Sequence, residues 1–233
     1  MTSQAPILVT GANKRGGLEI CRALHAQGIS IIGVYRSMPG ELLEIPGATL
    51  LQADLCDPQS RERLIESVNE RFDSLRGIIH NASLWLDDSL VNLERMLQIH
   101  VAAPYQLNER LQGLLRRSSR ADIIHIGDDT AVHGTKNHVA YAASKAALLN
   151  LMLSFAEKFA PAIRVNAISP GLLKLKEGSD MDYREKTLRK ALLEVEPGNA
   201  PLVDAVLYLL GSHYHTGNNI IINGGRHLKR QNA

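Results

Sequence analysis

Short apolar runs alternate with longer stretches of helical periodicity along the whole chain. Seven runs read as strands. They are Pro6–Thr10, Ser30–Tyr35, Ala48–Ala53, Gly77–His80, Asp122–Ile126, Ile163–Ile168 and Asn219–Ile222. Apolar positions three and four apart over 18–24, 58–72, 93–115, 138–159 and 201–211 predict helices. Regular alternation of this kind predicts an α/β fold, a doubly wound parallel sheet with helices on both faces. No linker, repeat or low-complexity stretch divides it, so residues 1–233 are expected to form a single domain. The least regular region, 172–200, carries a charged helical run from Asp180 to Glu194 and is expected to cover a substrate as a flap.

The first strand runs into Gly11-Ala12-Asn13-Lys14-Arg15-Gly16-Gly17 and then a helix. Strand, glycine-bearing turn and helix form the layout of a Rossmann-type dinucleotide site. Glycine lets the backbone approach a pyrophosphate, and the helix N-terminus faces its charge. Gly11 is expected to make the tight turn and Gly17 the close helix packing. At the end of the second strand stands Tyr35-Arg36-Ser37, with no acid nearby. An acid there would serve the ribose hydroxyls of NAD. Arg36 suits a 2′-phosphate and Ser37 can donate to one, with Lys14 and Arg15 adding positive charge on that side, so NADPH is the expected cofactor.

Tyr141 and Lys145 are four apart on a helical segment, which stacks a phenol and an ammonium on one face. The ammonium is expected to lower the phenol's pKa and to hold a cofactor hydroxyl. Asp128 precedes Tyr141 by thirteen residues. The plain alternatives are an exposed polar pair and a loop aspartate that caps local backbone, aided by Asp129. Trp85, the single tryptophan, follows a strand end. Core packing is its plain alternative, whereas stacking on a ligand in the crevice is what its position favours.

Together these residues resemble the short-chain dehydrogenase/reductase family over nearly the whole chain. Thr10-Gly11 and Gly17 match its glycine motif, and Asp54 its adenine-contacting aspartate. Asn81-Ala82-Ser83 stands where the family has Asn-Ala-Gly. Tyr141 and Lys145 match its catalytic pair, Pro170-Gly171 its turn after the sixth strand, and Thr216-Gly217 and Gly224-Gly225 its C-terminal flanks. Arg15 in place of a glycine, Asp128 in place of the catalytic serine, and Trp85 are similar to the pteridine reductase branch. His80-Asn81-Ala82-Ser83, Ile99-His100-Val101 and Gly224-Gly225-Arg226-His227-Leu228 resemble the bacterial dihydromonapterin reductases within it. The resemblance implies that Arg15 lies near cofactor phosphates and pterin, that Trp85 stacks on the pterin, and that Asp128 cooperates with Tyr141 in proton supply. It also implies cofactor contacts at Asn81, Ala82, Pro170 and Gly171, and a substrate contact at Ser83. His100 occupies the place of an asparagine that normally holds a relay water; two readings stay open, that histidine does the same job or that the relay is wired differently. Family members commonly form tetramers through the helices at 93–115 and 138–159, so a homotetramer is expected.

The composition is that of an ordinary globular protein, 45% hydrophobic, with a formal charge of +2 that singles out no nucleic acid. Cys21 and Cys56 lack metal-ligand spacing, no metal is expected, and Cys21 reads as a core residue. No signal segment and no uninterrupted apolar run of membrane length is seen, which places the expected protein in the cytoplasm, with no membrane partner. The expected reaction is NADPH-dependent reduction of the C=N bond of a dihydropterin: dihydromonapterin, with dihydrobiopterin and dihydrofolate as further candidates. Two other readings stay open: a ketone or 3-oxoacyl thioester reductase, and a non-catalytic NADP-binding regulator. Arg15, Trp85 and the absence of a serine at 128 count against the first. The intact Tyr141/Lys145 pair counts against the second.

Overall fold

The structure, a computed structural model, describes residues 5–230. The strands are β1 (Ile7–Thr10), β2 (Ile31–Tyr35), β3 (Thr49–Gln52), β4 (Gly77–His80), β5 (Ala121–Ile126), β6 (Ile163–Pro170) and β7 (Asn219–Ile222). They form one parallel sheet in the order β3-β2-β1-β4-β5-β6-β7. The winding reverses between β1 and β4, which opens a crevice at their carboxyl ends. Each predicted strand is present, β4 and β7 with the predicted ends and the others with one or both ends moved by a residue or two. β6 is longer, running on to Pro170.

Alternate side chains serve two cores, as the pleat requires. Leu8, Ile78 and Ile123 point to a core shared with α2 (Pro58–Arg71), α4 (Ala103–Arg116) and α6 (Val139–Phe159). Ile7, Val9, Ile79 and Ile124 point to the opposite core, closed by α1 (Arg15–Ala26) and α8 (Ala200–Gly211). Cys21 is buried in that second core, as expected. α6 is long and apolar enough to cross a membrane by length and composition. Here it packs on the sheet through Met152, Phe155 and Phe159.

The helix expected over 93–115 begins earlier and is interrupted. α3 (Leu90–Leu97) passes through one π turn, Gln98–Ala102, into α4. Pro104 supplies the reason: it has no N–H for the His100 carbonyl, and its ring crowds that oxygen. The Ala103 N–H bonds instead to Gln98, five residues back. Such turns often mark functional sites, and His100 lies inside this one.

The run from Asp180 to Glu194 is helical only over α7 (Met181–Leu188). Beyond it the backbone leaves the helix to bond elsewhere. Leu192 and Leu193 N–H both donate to the Gly224 carbonyl after β7. Lys229, in α9 (Arg226–Arg230), reaches the Arg189 carbonyl and Glu194. Region 172–200 is thereby tied to the C-terminal segment.

Away from the crevice, near the start of β5, Asp122 pairs with Arg76, Arg120 and Arg164. Arg76 and Arg120 also donate to the Leu210 carbonyl near the end of α8. One buried carboxylate thus ties three strand ends to a helix terminus.

Candidate active site

The crevice holds a cleft of about 460 Å³ that runs from the glycine turn past the end of β2 to Tyr141. Gly11, Lys14, Arg15, Arg36, Ser37, Asp54, Asn81, Ala82, Ser83, Trp85 and Tyr141 all line it. Residues expected at one site from sequence positions far apart are therefore neighbours in space.

Its phosphate end is built from backbone. Gly11 has φ +63, and a Cβ there would meet the Ala82 Cα at 2.9 Å. A Cβ at Gly17 would overlap the Gly11 carbonyl oxygen, so turn and helix approach as only glycine allows. No side chain caps the N-terminus of α1 and no acid sits in its first turn, which leaves its N–H donors directed at the cleft. Arg15 holds φ +49, a conformation that disfavours side chains, at the position where the resembled family has glycine. The strained backbone is kept and a guanidinium is added beside it. Arg36 and Ser37 are exposed at the end of β2. This set fits a phosphorylated dinucleotide.

Thr10 and Asn81 fasten the floor. The Thr10 hydroxyl accepts from Asn81 N and Ala82 N, both at 3.0 Å. The Asn81 amide donates to the carbonyls of Thr10 and Gly11. The side chain expected to touch cofactor thus also ties β4 to the glycine turn. Gly17, Asp128, Lys145, Pro170 and Gly171 lie outside the cleft lining. The Pro170 carbonyl accepts from Asp129 N, and Gly171 packs against Asn223, where a Cβ would meet the Asn223 Cβ at 2.9 Å.

At the other end stands Tyr141, buried in the first turn of α6. Its hydroxyl donates to Asp128 Oδ2 at 3.1 Å. Asp128 Oδ1 accepts from Thr130 N at 2.8 Å and Thr130 Oγ1 at 2.6 Å. Asp128 therefore bonds both the local backbone and the phenol, one oxygen for each. Lys145 is buried, and its ammonium donates to the Ile126 carbonyl at 2.8 Å. Burial lowers Lys145 to about 8, with Asp128 working against that shift.

The phenol corrects an expectation. Burial first, then the Asp128 charge, push the Tyr141 pKa up from its ordinary value. The Lys145 ammonium lies 5.9 Å from the ring centroid, over its face, and does not lower it. Tyr141 therefore keeps its proton.

Trp85 lies over Tyr141, ring centroids 4.4 Å apart, with His138 against it at 4.3 Å. The indole is 56% exposed, so it is a cleft wall and not core. His138 thus belongs to this wall. Asp88 fixes the arrangement. Its two oxygens accept from Val139 N and Ala140 N, which caps α6 from the Trp85 loop. Those bonds hold the Asp88 carboxyl below the usual range. No local pattern marks Asp88, because its partners lie some fifty residues away.

A family model described as enoyl-(acyl carrier protein) reductase matches residues 11–227. A dihydromonapterin reductase of Klebsiella pneumoniae is 42% identical, covering 96% of this chain and 97% of its own. One from Enterobacter is 43% identical over 97% and 98%, and one from Escherichia coli 40% identical over 98% and 99%. Among solved structures, a Pseudomonas aeruginosa RhlG/NADP active-site complex superposes with TM-score 0.87 at 24% identity, covering 96% of this chain and 97% of that one. An apo SCOR enzyme from Clostridium thermocellum gives 0.86 at 21% identity, over 98% and 94%.

Proposed function

The chain belongs to the short-chain dehydrogenase/reductase family, and on that premise we propose that it is an NADPH-dependent reductase of a dihydropterin, dihydromonapterin first. The relatives of that name, alike over nearly their full length, support the reading. The observation that carries it is the set at the inner end of the cleft: Trp85 over Tyr141, and Tyr141 bonded to Asp128. An exposed indole beside a proton donor suits a flat bicyclic ring that must be protonated at nitrogen.

On this reading each residue of the site has a role. NADPH held in this cleft would supply the hydride for the C=N carbon. Gly11, Gly17 and the open end of α1 receive the pyrophosphate. Arg36 and Ser37 receive the 2′-phosphate, with Lys14 and Arg15 beside them, Asp54 contacts the adenine, and Lys145 holds the ribose. Asn81, Ala82, Pro170 and Gly171 frame the cofactor's inner half. Tyr141 gives its proton to the pterin nitrogen, and Asp128 orients the phenol. Residues 172–200 close over the substrate. The helices α4 and α6 pair with symmetry mates in a tetramer. α6 leaves Leu153 half exposed, and α4 likewise leaves Tyr105. The protein acts in the cytoplasm.

Three measurements check these roles. Saturating dihydropterin should quench Trp85 fluorescence in the NADPH complex, after correction for absorbance. Unchanged emission would remove Trp85 from the pterin slot. Arg36→Asp should cost NADPH about 1.5 kcal/mol of binding, the low end for a charged contact because the site is exposed, and narrow the gap to NADH. Wild-type protein that binds NADH as tightly as NADPH would contradict the phosphate assignment. The Lys145 ammonium is present below its folded pKa and is lost as pH rises through about 8. NADPH affinity of the free protein should therefore weaken across that pH, and a flat profile to pH ~10 would refute the contact.

A further inference from the structure

Two departures from the family pattern, Ser83 in place of glycine and His100 in place of asparagine, touch each other. Ser83 Oγ lies 2.8 Å from His100 Nε2. The other ring nitrogen, Nδ1, lies 2.8 Å from Ser144 Oγ. The protons on this chain can be assigned. Ser144 Oγ is 2.7 Å from the Tyr141 backbone carbonyl, which only accepts, so the Ser144 proton is committed there. Nδ1 must therefore carry a hydrogen and donate to Ser144. Nε2 is then the acceptor, as the 3.3 Å approach of Leu84 N–H also requires. It follows that the Ser83 hydroxyl donates to Nε2 in the resting chain.

This rules out one role for His100 and leaves another. Burial, with Lys145 adding to it, lowers His100 to about 2, so the ring stays neutral at working pH. Beyond Nδ1 its bonds end at a fully buried serine and a carbonyl that only accepts, so no proton is passed on through the ring. His100 carries no proton to Tyr141. Its two ring bonds suit it to anchor the Ser83 hydroxyl.

Tyr141 meanwhile faces a difficulty. Giving up its proton creates a phenolate next to Asp128, whose charge opposes it. Lys145 is directed at the Ile126 carbonyl. Ser83 lines the same cleft as Tyr141, and a hydrogen bond from its hydroxyl to the phenol oxygen favours the ionised form.

We propose that Ser83 and His100 work as a pair that stabilises the Tyr141 phenolate. The Ser83 hydroxyl rests on His100 Nε2 and swings to the Tyr141 oxygen as the phenol's proton leaves. The step balances. The Tyr141 O–H bond breaks, the proton joins the substrate nitrogen, and the negative charge left on oxygen takes up the Ser83 hydrogen bond. Ser83 itself loses no proton, and Nε2 keeps the Leu84 N–H. His100 is a positioning residue that holds the hydroxyl within one rotation of its target. The inference rests on the reading of Tyr141 as proton donor.

The test is Ser83→Ala, with Ser83→Thr restoring a hydroxyl. Ser83 is exposed, so neither change endangers the fold. With dihydromonapterin and NADPH, Ser83→Ala should lower kcat roughly 10–100-fold, the value of a hydrogen bond to a charged group. The KM for the pterin should stay within about twofold, the solvent deuterium isotope effect on kcat should rise, and Ser83→Thr should recover most of the rate. NADPH binding, followed by fluorescence, should not change. A raised KM with kcat intact would make Ser83 a substrate contact and overturn the pairing, as would no change in either constant. If the wild type reduces a 3-oxoacyl thioester and no pterin, the pterin reading fails alone. The same kcat comparison on that substrate then decides for or against Ser83.

Discussion

Tyr141→Phe should cut turnover by about 10²–10⁴-fold while the protein still folds and binds NADPH. The phenol donates to Asp128 and accepts nothing that holds the fold together. Its ring contacts with Trp85 and His100 survive in phenylalanine. The loss should appear in kcat, because the removed proton is needed only as the substrate nitrogen gains charge. Steady-state kinetics with a thermal melt checks both halves. Turnover within tenfold of wild type would move the proton donor elsewhere, and Asp128 would be the next candidate.

The second large effect lies far from the chemistry. Asp122→Ala should destabilise the protein by about 3 kcal/mol, the low end for breaking a buried ion pair because the arginines are partly exposed. Arg76, Arg120 and Arg164 would keep their positive charges beside one another with the shared carboxylate gone. A loss of that size is a large share of a typical domain's 5–15 kcal/mol. Denaturant unfolding should show a lower midpoint. At low temperature kcat should stay near wild type, since Asp122 lies away from the cleft. A loss of activity without a loss of stability would contradict the division between scaffold and site.

The fold was legible because its signals are local and periodic. Apolar strands of four to eight residues alternate with helices, and only a parallel sheet covered on both faces buries them. The cofactor end was legible for a similar reason, since a strand, a glycine turn and a helix are consecutive. Gly11 and Gly17 proved necessary at the contacts where a Cβ has no room. The sign of the Tyr141 shift was not legible. Spacing showed that Lys145 shares a face with the phenol, but the ammonium turns to the Ile126 carbonyl. Burial and Asp128, both set by the tertiary fold, decide the direction. Asp88 and the Ser83–His100–Ser144 chain were hidden for the same reason. Each joins segments that periodicity treats separately. His100 was noticed as a substitution, but its two ring bonds were not. The break at Gln98–Ala102 had one local sign, Pro104, in a segment otherwise patterned as one helix.

The central claim is that the Trp85–Tyr141–Asp128 cleft reduces a pterin with NADPH. Its most direct test is NADPH oxidation at 340 nm with dihydromonapterin, dihydrobiopterin, dihydrofolate and a 3-oxoacyl thioester, each offered separately to the wild-type protein and to Trp85→Ala. The account predicts turnover of a dihydropterin, dihydromonapterin foremost, with the pterin KM raised several-fold in Trp85→Ala and NADPH binding unchanged. NADPH oxidation with the thioester alone, unaffected by Trp85→Ala, would contradict it.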